Sequence, residues 1–570
     1  MPGDRPQRML LEAPRGCRTV DRRGRDLIGQ PLLNKGTAFT DEERDAFALR
    51  GLLPARVTTI EEQVALELEH VRRKTDDLER YIGLAALQDR NETLFYRVLT
   101  ENLEEFLPIV YTPTVGRACQ EFSHIFRRMR GVWITPSDVD RIDGILRAAS
   151  SDEIRLIVVT DNERILGLGD QGAGGIPIPV GKLALYTAAA GIYPAWTLPI
   201  SLDVGTDRAE LLSDPLYLGY RAPRLRGQAY AEVLEAFVES VRRVFPTAIL
   251  QWEDFKQHNA LRILGRYRHR LPSFNDDVQG TGAVVLGGLL AARRESGGLA
   301  ADRFLFLGAG AAAIGIAGMI RKQLRSDCAP ADGAGPTMAL MDHVGLVHLG
   351  RTNLADDQLP FAVDPAWFTD AGLSPEAFAD PVAVARALEA TVLIGTTGCT
   401  GAFSEALVRE VAQHHETPIV LPLSNPGDKA EARPADIFEW TDGRAMVATG
   451  SPSPDVELPA GRRTIGQSNN VFIFPGVGLG AIVAEARELT DDAFLVAARE
   501  FSAMVSADRL ASGAMYPPIR DLRRIARTIA VAVVRQLRDS GYGRQYRDEE
   551  IEPAVDRAIW WPEYQPFVPG

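Results

Sequence analysis

Cysteine is scarce in this sequence of 570 residues, which contains only Cys17, Cys119, Cys328 and Cys399. None of the four forms a CxxC pair with another, so we expect neither a disulfide framework nor a thiolate zinc site. Four separate thiols fit a reducing compartment, and we expect a cytoplasmic location. The N-terminus contains several arginines but lacks the apolar core of a signal peptide, although a cleaved transit peptide stays open as an alternative.

Long apolar runs and an excess of positive charge are also lacking. No stretch of about 18 apolar residues occurs, so we expect no transmembrane helix and no membrane partner. The net charge is -13 and the pI is about 5.3, and such a surface repels phosphate backbones. We therefore expect no nucleic-acid partner, whereas a few local cations could still bind a small anionic substrate.

The order of helical and strand patterns predicts an α/β fold. Residues 59–107 have apolar residues at helical spacing, and we expect this run to end at Leu107-Pro108. Short apolar runs at 154–160 and 248–251 predict strands. From about residue 280, strand and helix patterns alternate, which predicts a Rossmann-like, doubly wound parallel sheet. The sequence thus predicts an N-terminal helical region, an α/β domain, a Rossmann-like domain and a helical C-terminus.

Two glycine-rich segments are candidates for binding a dinucleotide. Gly308–Gly310, with Ala313, directly follows the strand pattern RFLFL and opens a helix pattern, and Asp342 ends the next strand pattern. Such a turn brings a pyrophosphate to the helix N-terminus, while the acid accepts hydrogen bonds from the ribose hydroxyls. Simple packing of small residues is the alternative. The segment Gly167–Gly172 is followed by glycines and prolines where a helix should begin, so we interpret it as an active-site loop.

Two pairs of acidic residues stand among apolar and aromatic neighbours. Glu253-Asp254 follows a strand pattern, and Asp276-Asp277 lies in FNDDVQGTG. Solvated surface is the usual place for such pairs, but charges among apolar residues need a partner, and a bound cation is the simplest one. Oxygen ligands select hard cations such as Mg²⁺ or Mn²⁺, and the eight histidines are too dispersed to favour zinc.

These residues belong to a longer series of motifs. They are YTPTVG (Tyr111–Gly116), TDNERILGLGD (Thr160–Asp170), IPVGKLALYTAAAGI (Ile178–Ile192), LDVGTD (Leu202–Asp207), DPLYLG (Asp214–Gly219), EDF (Glu253–Phe255), FNDDVQGTG (Phe274–Gly282), FLGAGAAAIGIA (Phe306–Ala317), SNP (Ser424–Pro426) and NNVFIFPGVGLG (Asn469–Gly480). The series resembles the malic enzyme family: the motifs stand in the family's order and extend over roughly residues 50 to 565.

The resemblance implies a role for each candidate residue. The implied metal ligands are Glu253, Asp254 and Asp277, for Mn²⁺ or Mg²⁺. The implied catalytic residues are Lys182 as general base, Asp276 tuning it, and Tyr111 as the acid that protonates enolpyruvate at C3. The implied substrate contacts are Arg164, as a clamp on a malate carboxylate, Asn425 and Asn470. The implied NAD contacts are Gly308, Ala309, Gly310, Ala313, Asp342 and Asn425.

These residue types fit the implied chemistry. The planar guanidinium of Arg164 suits a carboxylate. Lys182 must lose its proton to act as a base near neutral pH, and burial and a nearby cation would both lower its pKa. Without the resemblance, a solvated lysine and a packed aromatic would be the ordinary interpretations of Lys182 and Tyr111.

The resemblance favours NAD over NADP. NADP-type relatives have a lysine where Gln358 stands, and Asp342 disfavours a 2′-phosphate electrostatically. Some positions depart from the family pattern: Gly427 replaces a common threonine after SNP, and Ala311 replaces an acid in the nucleotide turn. Arg90 matches one of two arginines of fumarate-activated relatives, but the second is missing, so the sequence does not support fumarate activation.

The implied function is the oxidative decarboxylation of L-malate to pyruvate and CO2 with NAD⁺, with oxaloacetate decarboxylation as a further reaction. Malolactic enzyme, which forms lactate, and a non-catalytic binding protein on the same fold stay open as alternatives. The implied domains are an N-terminal segment 1–70, the malic-type α/β domain 71–272, the NAD-binding domain 273–538 and a C-terminal tail 539–570. A homodimer or homotetramer is expected.

Overall fold

The computed structural model describes residues 11–128, 130–150, 153–165, 167–327, 336–459 and 461–570. Cys328 and most of the insert that follows it lie outside these residues. In chain order the strands are β1 (Arg18–Val20), β2 (Val132–Ile134), β3 (Leu156–Thr160), β4 (Thr197–Leu202), β5 (Ile249–Glu253), β6 (Ser273–Asn275), β7 (Phe304–Leu307), β8 (Met338–Asp342), β9 (Gly345–Leu346), β10 (Val392–Gly395), β11 (Ile419–Pro422), β12 (Met446–Thr449), β13 (Val456–Leu458), β14 (Gly461–Arg463), β15 (Gly466–Gln467) and β16 (Phe567–Pro569).

The helices fill most of the space between and beside the strands. They are α1 (Gly24–Ile28), α2 (Asp41–Ala46), α3 (Ile60–Arg72), α4 (Asp77–Arg90), α5 (Glu92–Glu101), α6 (Leu103–Val110), α7 (Thr114–Gln120), α8 (Phe122–Ile125), α9 (Ile142–Ala149), α10 (Pro177–Ala190), α11 (Ala209–Ser213), α12 (Gly227–Val244), α13 (Gln257–Tyr267), α14 (Thr281–Ala292), α15 (Ala311–Asp327), α16 (Pro365–Asp370), α17 (Pro381–Leu388), α18 (Glu405–Val411), α19 (Pro434–Trp440), α20 (Phe474–Val483), α21 (Asp491–Ala503), α22 (Ala507–Ala511), α23 (Leu522–Asp539) and α24 (Asp548–Ala558). Among the described residues, no helix is both long and apolar enough to cross a bilayer.

The first sheet is parallel throughout, with strand order β2-β4-β3-β5-β6. All five residues of β3 are buried, as expected for a strand that is covered on both faces. Ile157 and Val159 pack on the side of α9 and α12, whereas Leu156 and Val158 belong to the core that contains α10. Alternation along the strand therefore builds two cores on opposite faces of one sheet.

The second sheet has the order β15-β12-β11-β10-β7-β8-β9, and only β8 and β9 pair antiparallel. The chain moves from β7 to β8 on one side and then returns to β10 on the other side. A crevice therefore opens between the carboxyl ends of β7 and β10, where doubly wound sheets bind their ligands. The predicted α/β fold with a Rossmann-like parallel sheet is confirmed.

One local prediction was wrong. The helical run does not end before Pro108, because α6 continues to Val110. The missing N–H of Pro108 leaves only the carbonyl of Glu104 without a helical partner, and Glu104 is exposed to water. The segment Gly167–Gly172 is followed by α10, and Pro177 is tolerated in the first turn of this helix. The predicted helical C-terminus is confirmed by α21 to α24, and the last residues form strand β16, which pairs with β1.

Candidate active site

Two neighbouring strands bring the acidic pairs together. Glu253 is the last residue of β5, and Asp276 and Asp277 begin a π-helical turn, Asp276–Gly280, directly after β6. Since β5 and β6 are parallel neighbours, both pairs lie at the same edge of the first sheet. Asp254 has a positive φ of 57°, an uncommon conformation for a residue with a side chain, which is often found at functional sites.

Three of these carboxylates converge on one point. Glu253, Asp254 and Asp277 each offer an oxygen atom within 4.8 Å of the other two. The backbone N–H of Asp254 donates a hydrogen bond to Oδ2 of Asp277 at 2.8 Å. Burial raises the pKa of Glu253 to about 8 and that of Asp277 to about 6, and it raises the pKa of Asp254 well above its ordinary value. The neighbouring carboxylates add to these shifts, whereas Lys182 opposes them.

This donor set fits a hard divalent cation. Four carboxyl groups face the single ammonium group of Lys182, and Oδ1 of the buried Asp276 has no hydrogen-bond partner among the described residues. Buried charge without compensation is unfavourable, and a dication would supply what the surrounding side chains lack. Oxygen-only ligands are those that Mg²⁺ and Mn²⁺ prefer.

Lys182 lies at the centre of the site on helix α10. Its Nζ is 2.8 Å from Oε1 of Glu253 and donates a hydrogen bond to Oδ2 of Asp276. It also lies over the rings of Phe474 and Tyr111, at 4.6 and 5.6 Å from their centroids. Burial lowers the pKa of Lys182, but the two carboxylates outweigh burial, so its pKa is raised well above the ordinary value. The lowering expected from burial is thus reversed here.

Tyr111 and Asn470 border the same cluster from two other elements. Tyr111 directly follows α6, and burial raises the pKa of its hydroxyl well above the ordinary value, with Lys182 offsetting only part of this effect. Nδ2 of Asn470 donates to Oδ2 of Asp276 at 3.1 Å and to Oγ1 of Thr281 at 3.1 Å. The amide of Asn470 therefore restrains the same carboxylate that pairs with Lys182.

Arg164 and Asn425 lie outside these direct contacts. The backbone N–H of Arg164 donates to the carbonyl of Asp254 at 3.0 Å, while its exposed guanidinium group has no hydrogen-bond or ion-pair partner among the described residues. Asn425 precedes a cis peptide bond to Pro426 and accepts a hydrogen bond from the hydroxyl of Ser451. A Cβ atom on Gly167 would lie 2.9 Å from the Asn425 carbonyl, so the Gly167 loop and the Asn425 loop touch.

The predicted nucleotide turn lies in the crevice of the second sheet. Gly308 follows β7 with a φ of 112°, and a Cβ atom there would lie 2.4 Å from Oγ1 of Thr396. Gly310 precedes α15, and Ala313 is buried in its first turn. Only glycine fits at position 308. Because it has no side chain, the backbone stays accessible to a phosphate at the N-terminus of α15.

Asp342 ends β8 and is already paired. Its carboxylate accepts hydrogen bonds from Arg351 at 2.8 and 3.0 Å and from the backbone N–H groups of Val344 and Gly345. Burial alone would raise the pKa of Asp342, but these bonds lower it below the ordinary value. Gln257, at the start of α13, donates to the carbonyl of Ala309 at 3.4 Å and so connects the carboxylate edge with the nucleotide turn.

Sequence reasoning missed Glu431, which holds together the two loops that flank the crevice. Its carboxylate is fully buried and accepts hydrogen bonds from the backbone N–H and hydroxyl of Thr397, at 2.7 and 2.9 Å. It also accepts bonds from the hydroxyl and backbone N–H of Ser424, next to Asn425. A single glutamate in a Lys- and Ala-containing loop has no pattern that would have identified it.

Comparison with known proteins extends these observations to the whole chain. The model of the malic enzyme N-terminal domain matches residues 88–268, and that of the malic enzyme NAD-binding domain matches residues 278–538. The NAD-dependent malic enzyme of Pseudomonas syringae pv. tomato is 45% identical over 95% of this chain and 97% of its own length. That of Aeromonas salmonicida is 45% identical over 95% of this chain and 96% of its own length.

A solved structure agrees at the level of the fold. The Entamoeba histolytica malic enzyme superposes with a TM-score of 0.56 at 22% identity, covering 90% of this chain and 91% of that one. The two domain matches together extend over most of the sequence, and the curated relatives share almost its full length. The chain belongs to the malic enzyme family.

Proposed function

We propose that the protein oxidises and decarboxylates L-malate to pyruvate and CO2 while reducing NAD⁺, and that it also decarboxylates oxaloacetate. The observation that carries the proposal is the buried cluster of Glu253, Asp254 and Asp277 beside Lys182. The names of the curated relatives, NAD-dependent malic enzymes, support the same reaction and cofactor.

Glu253, Asp254 and Asp277 would hold Mn²⁺ or Mg²⁺, and the backbone of Gly308–Gly310 with Ala313 and Asp342 would hold NAD. When bound, these groups supply a Lewis acid at the C2 oxygen of malate and a hydride acceptor for C2. A dication beside Glu253 would also offset the carboxylate charge that now raises the pKa of Lys182.

The residues around the cluster would move the protons. Neutral Lys182 takes the proton from the C2 hydroxyl, and Asp276 and Glu253 hold its Nζ in place. Loss of CO2 leaves an enolate that needs a proton at C3, and Tyr111 donates it, since burial keeps its hydroxyl protonated. Nζ of Lys182 lies 5.6 Å from the centroid of the Tyr111 ring, so the proposed base and the proposed acid are neighbours beside the cluster.

Three further residues would bind and orient the substrate. The guanidinium group of Arg164, which has no partner within the described part of the chain, would bind a malate carboxylate in a planar, two-point contact. Asn470, through its bond to Asp276, and Asn425, between the two touching loops, would border the malate and the nicotinamide. The domains 71–272 and 273–538, a homodimer or homotetramer, and a cytoplasmic location remain predictions.

The test is to incubate the purified protein with L-malate, NAD⁺ and Mn²⁺, follow NADH by absorbance and identify the three-carbon product. NADH and pyruvate in equal amounts support the proposal, and their loss with a chelator supports the metal. Lactate and CO2 without net NADH would identify a malolactic enzyme instead. A folded protein with no turnover on NAD⁺ or NADP⁺ would contradict the assigned reaction.

A further inference from the structure

A second polar residue lies on the buried face of β5, two positions before Glu253. Residues i and i+2 of a strand point to the same side of the sheet, so Gln251 and Glu253 both face α10. Trp252, between them, points into the core on the opposite face of the sheet. Gln251 is completely buried, and a buried amide needs partners for both its oxygen and its nitrogen.

Both partners of Gln251 are present, and together they form one chain of hydrogen bonds that all point toward Glu253. The hydroxyl of Tyr186, on α10, donates to Oε1 of Gln251, and Nε2 of Gln251 donates to Oε2 of Glu253 at 2.8 Å. The other carboxylate oxygen of Glu253, Oε1, is the one 2.8 Å from Lys182. The amide of Gln251 is oriented by both ends of this chain of hydrogen bonds, because Glu253 must be ionised to bind a cation, and an ionised carboxylate accepts hydrogen bonds and cannot donate them.

Tyr186, at the outer end of this chain of hydrogen bonds, is fixed by packing. The ring of Tyr186 packs against Phe474, with ring centroids 4.8 Å apart. A Cβ atom on Gly478 would lie 2.5 Å from Cε1 of Tyr186, so the glycine in α20 leaves the space that the ring fills. Tyr186 is itself fully buried and therefore has little freedom to move.

We propose that Gln251, held by Tyr186, is a positioning residue that fixes the Glu253 carboxylate as a ligand of the divalent cation. The proposal rests on the metal site proposed above. The hydrogen bond to Oε2 prevents rotation of the carboxylate and keeps Oε1 at the cluster. Without it, Oε2 would be buried with no donor, and Glu253 could turn further toward Lys182. Such outer hydrogen bonds orient metal ligands and raise metal affinity.

The test measures Mn²⁺ binding to the protein without malate or NAD, with free Mn²⁺ followed by electron paramagnetic resonance. Gln251→Leu should weaken Mn²⁺ binding by about 10- to 100-fold, the usual effect of losing such a partner. Tyr186→Phe, which keeps the ring, should weaken it less. The double variant should bind no more weakly than Gln251→Leu, because Tyr186 acts through Gln251.

A matched control is available at another buried pair of the same types. Nε2 of Gln88 donates to the hydroxyl of Tyr96 at 3.2 Å among the N-terminal helices. Gln88→Leu and Tyr96→Phe should leave Mn²⁺ affinity unchanged while costing similar thermal stability. If Gln251→Leu does not fold, the Mn²⁺ affinities of Tyr186→Phe and Tyr96→Phe are compared. Weaker binding by Tyr186→Phe supports the proposal, and equal binding contradicts it.

Three results would overturn the proposal. They are unchanged Mn²⁺ affinity in a folded Gln251→Leu protein, equal weakening in the control variants, and an additive effect in the double variant. Failure of the natural protein to bind Mn²⁺ would overturn the metal site itself as well. If the natural protein binds Mn²⁺ and Gln251→Leu binds it equally well, only the positioning role is overturned.

Discussion

Lys182 and Lys35 are two almost fully buried lysines with different surroundings. Lys35 pairs with one carboxylate, Glu43, at 2.5 Å, and burial prevails, so its pKa is lowered. Lys182 contacts two carboxylates, which prevail over burial and raise its pKa. The charge of a buried lysine thus depends on how many carboxylates surround it, and a site that gains a cation can change that balance.

The first prediction compares Lys182→Met with Lys35→Met. Each change leaves buried carboxylate without its partner, which costs about 3–5 kcal/mol of stability. Only Lys182→Met should also lower kcat for malate oxidation, by about 10²- to 10⁴-fold, the usual contribution of a general base. Thermal unfolding and steady-state kinetics check both effects. A folded Lys182→Met enzyme with the kcat of the natural protein would rule out the proposed base.

The second prediction concerns the backbone at Gly308. Gly308→Ala forces a Cβ atom against Thr396 and an unfavourable positive φ, so it should destabilise the crevice and raise KM for NAD⁺ about tenfold or more. Gly298 also has a positive φ, 90°, but a Cβ atom there meets nothing within 4 Å. Gly298→Ala should therefore cost only about 1–3 kcal/mol of backbone strain, with unchanged KM. Equal KM values in the two variants would contradict a close approach of the cofactor at Gly308.

At the scale of elements, the segment after β3 holds a carboxyl group with an altered pKa. Asp161 accepts hydrogen bonds from the hydroxyl of Tyr230 at 2.5 Å and from the N–H of Glu163 at 3.1 Å. Burial nevertheless raises its pKa to about 6, although Arg224 opposes the shift. Between about pH 4 and 6 the folded protein therefore binds more protons at Asp161 than the unfolded chain does.

The third prediction follows from that difference. The contribution of Asp161 to stability should fall as pH rises from about 4 to 6, and a shift of about two units corresponds to roughly 3 kcal/mol. Asp161→Asn removes this dependence, so the natural protein should lose thermal stability relative to the variant between pH 5 and pH 7.5. The exposed Asp140→Asn serves as control. A constant difference between the natural protein and Asp161→Asn across this range would contradict the raised pKa.

Elements with a strong local pattern could be predicted, and those that depend on distant partners could not. The bounds of β7 and β10 follow from short apolar runs between turn residues, because both strands are buried on two faces. Strands β1 and β16 have three residues each and pair across almost the whole chain, so neither has a pattern of its own. Likewise, the acidic pairs stood out by composition, whereas Glu431 acts through contacts that only folding creates.

At the scale of the whole molecule, the pairing of β1 with β16 joins the N-terminal segment to the end of the chain. Phe567, in β16, packs edge-on against Phe39 and Phe47, with ring centroids 6.2 and 6.3 Å apart. Its ring also covers Nζ of Lys35 at 3.9 Å, and its N–H donates to Glu43. The last residues thus cover the buried ion pair near the beginning of the chain.

The fourth prediction is that Phe567→Ala loosens this junction without affecting catalysis. The change removes a buried ring and should cost about 3–5 kcal/mol locally. Val568 is the next residue of the same strand and is 44% exposed, so Val568→Ala should change stability by less than about 0.5 kcal/mol. Hydrogen exchange should show faster opening of residues 18–53 in Phe567→Ala only. The value of kcat should be unchanged in both variants, since Phe567 belongs to a separate small core that contains none of the candidate catalytic residues. Protection of that segment equal to that of the natural protein would mean that the N-terminal segment is held by its own core and not by the end of the chain.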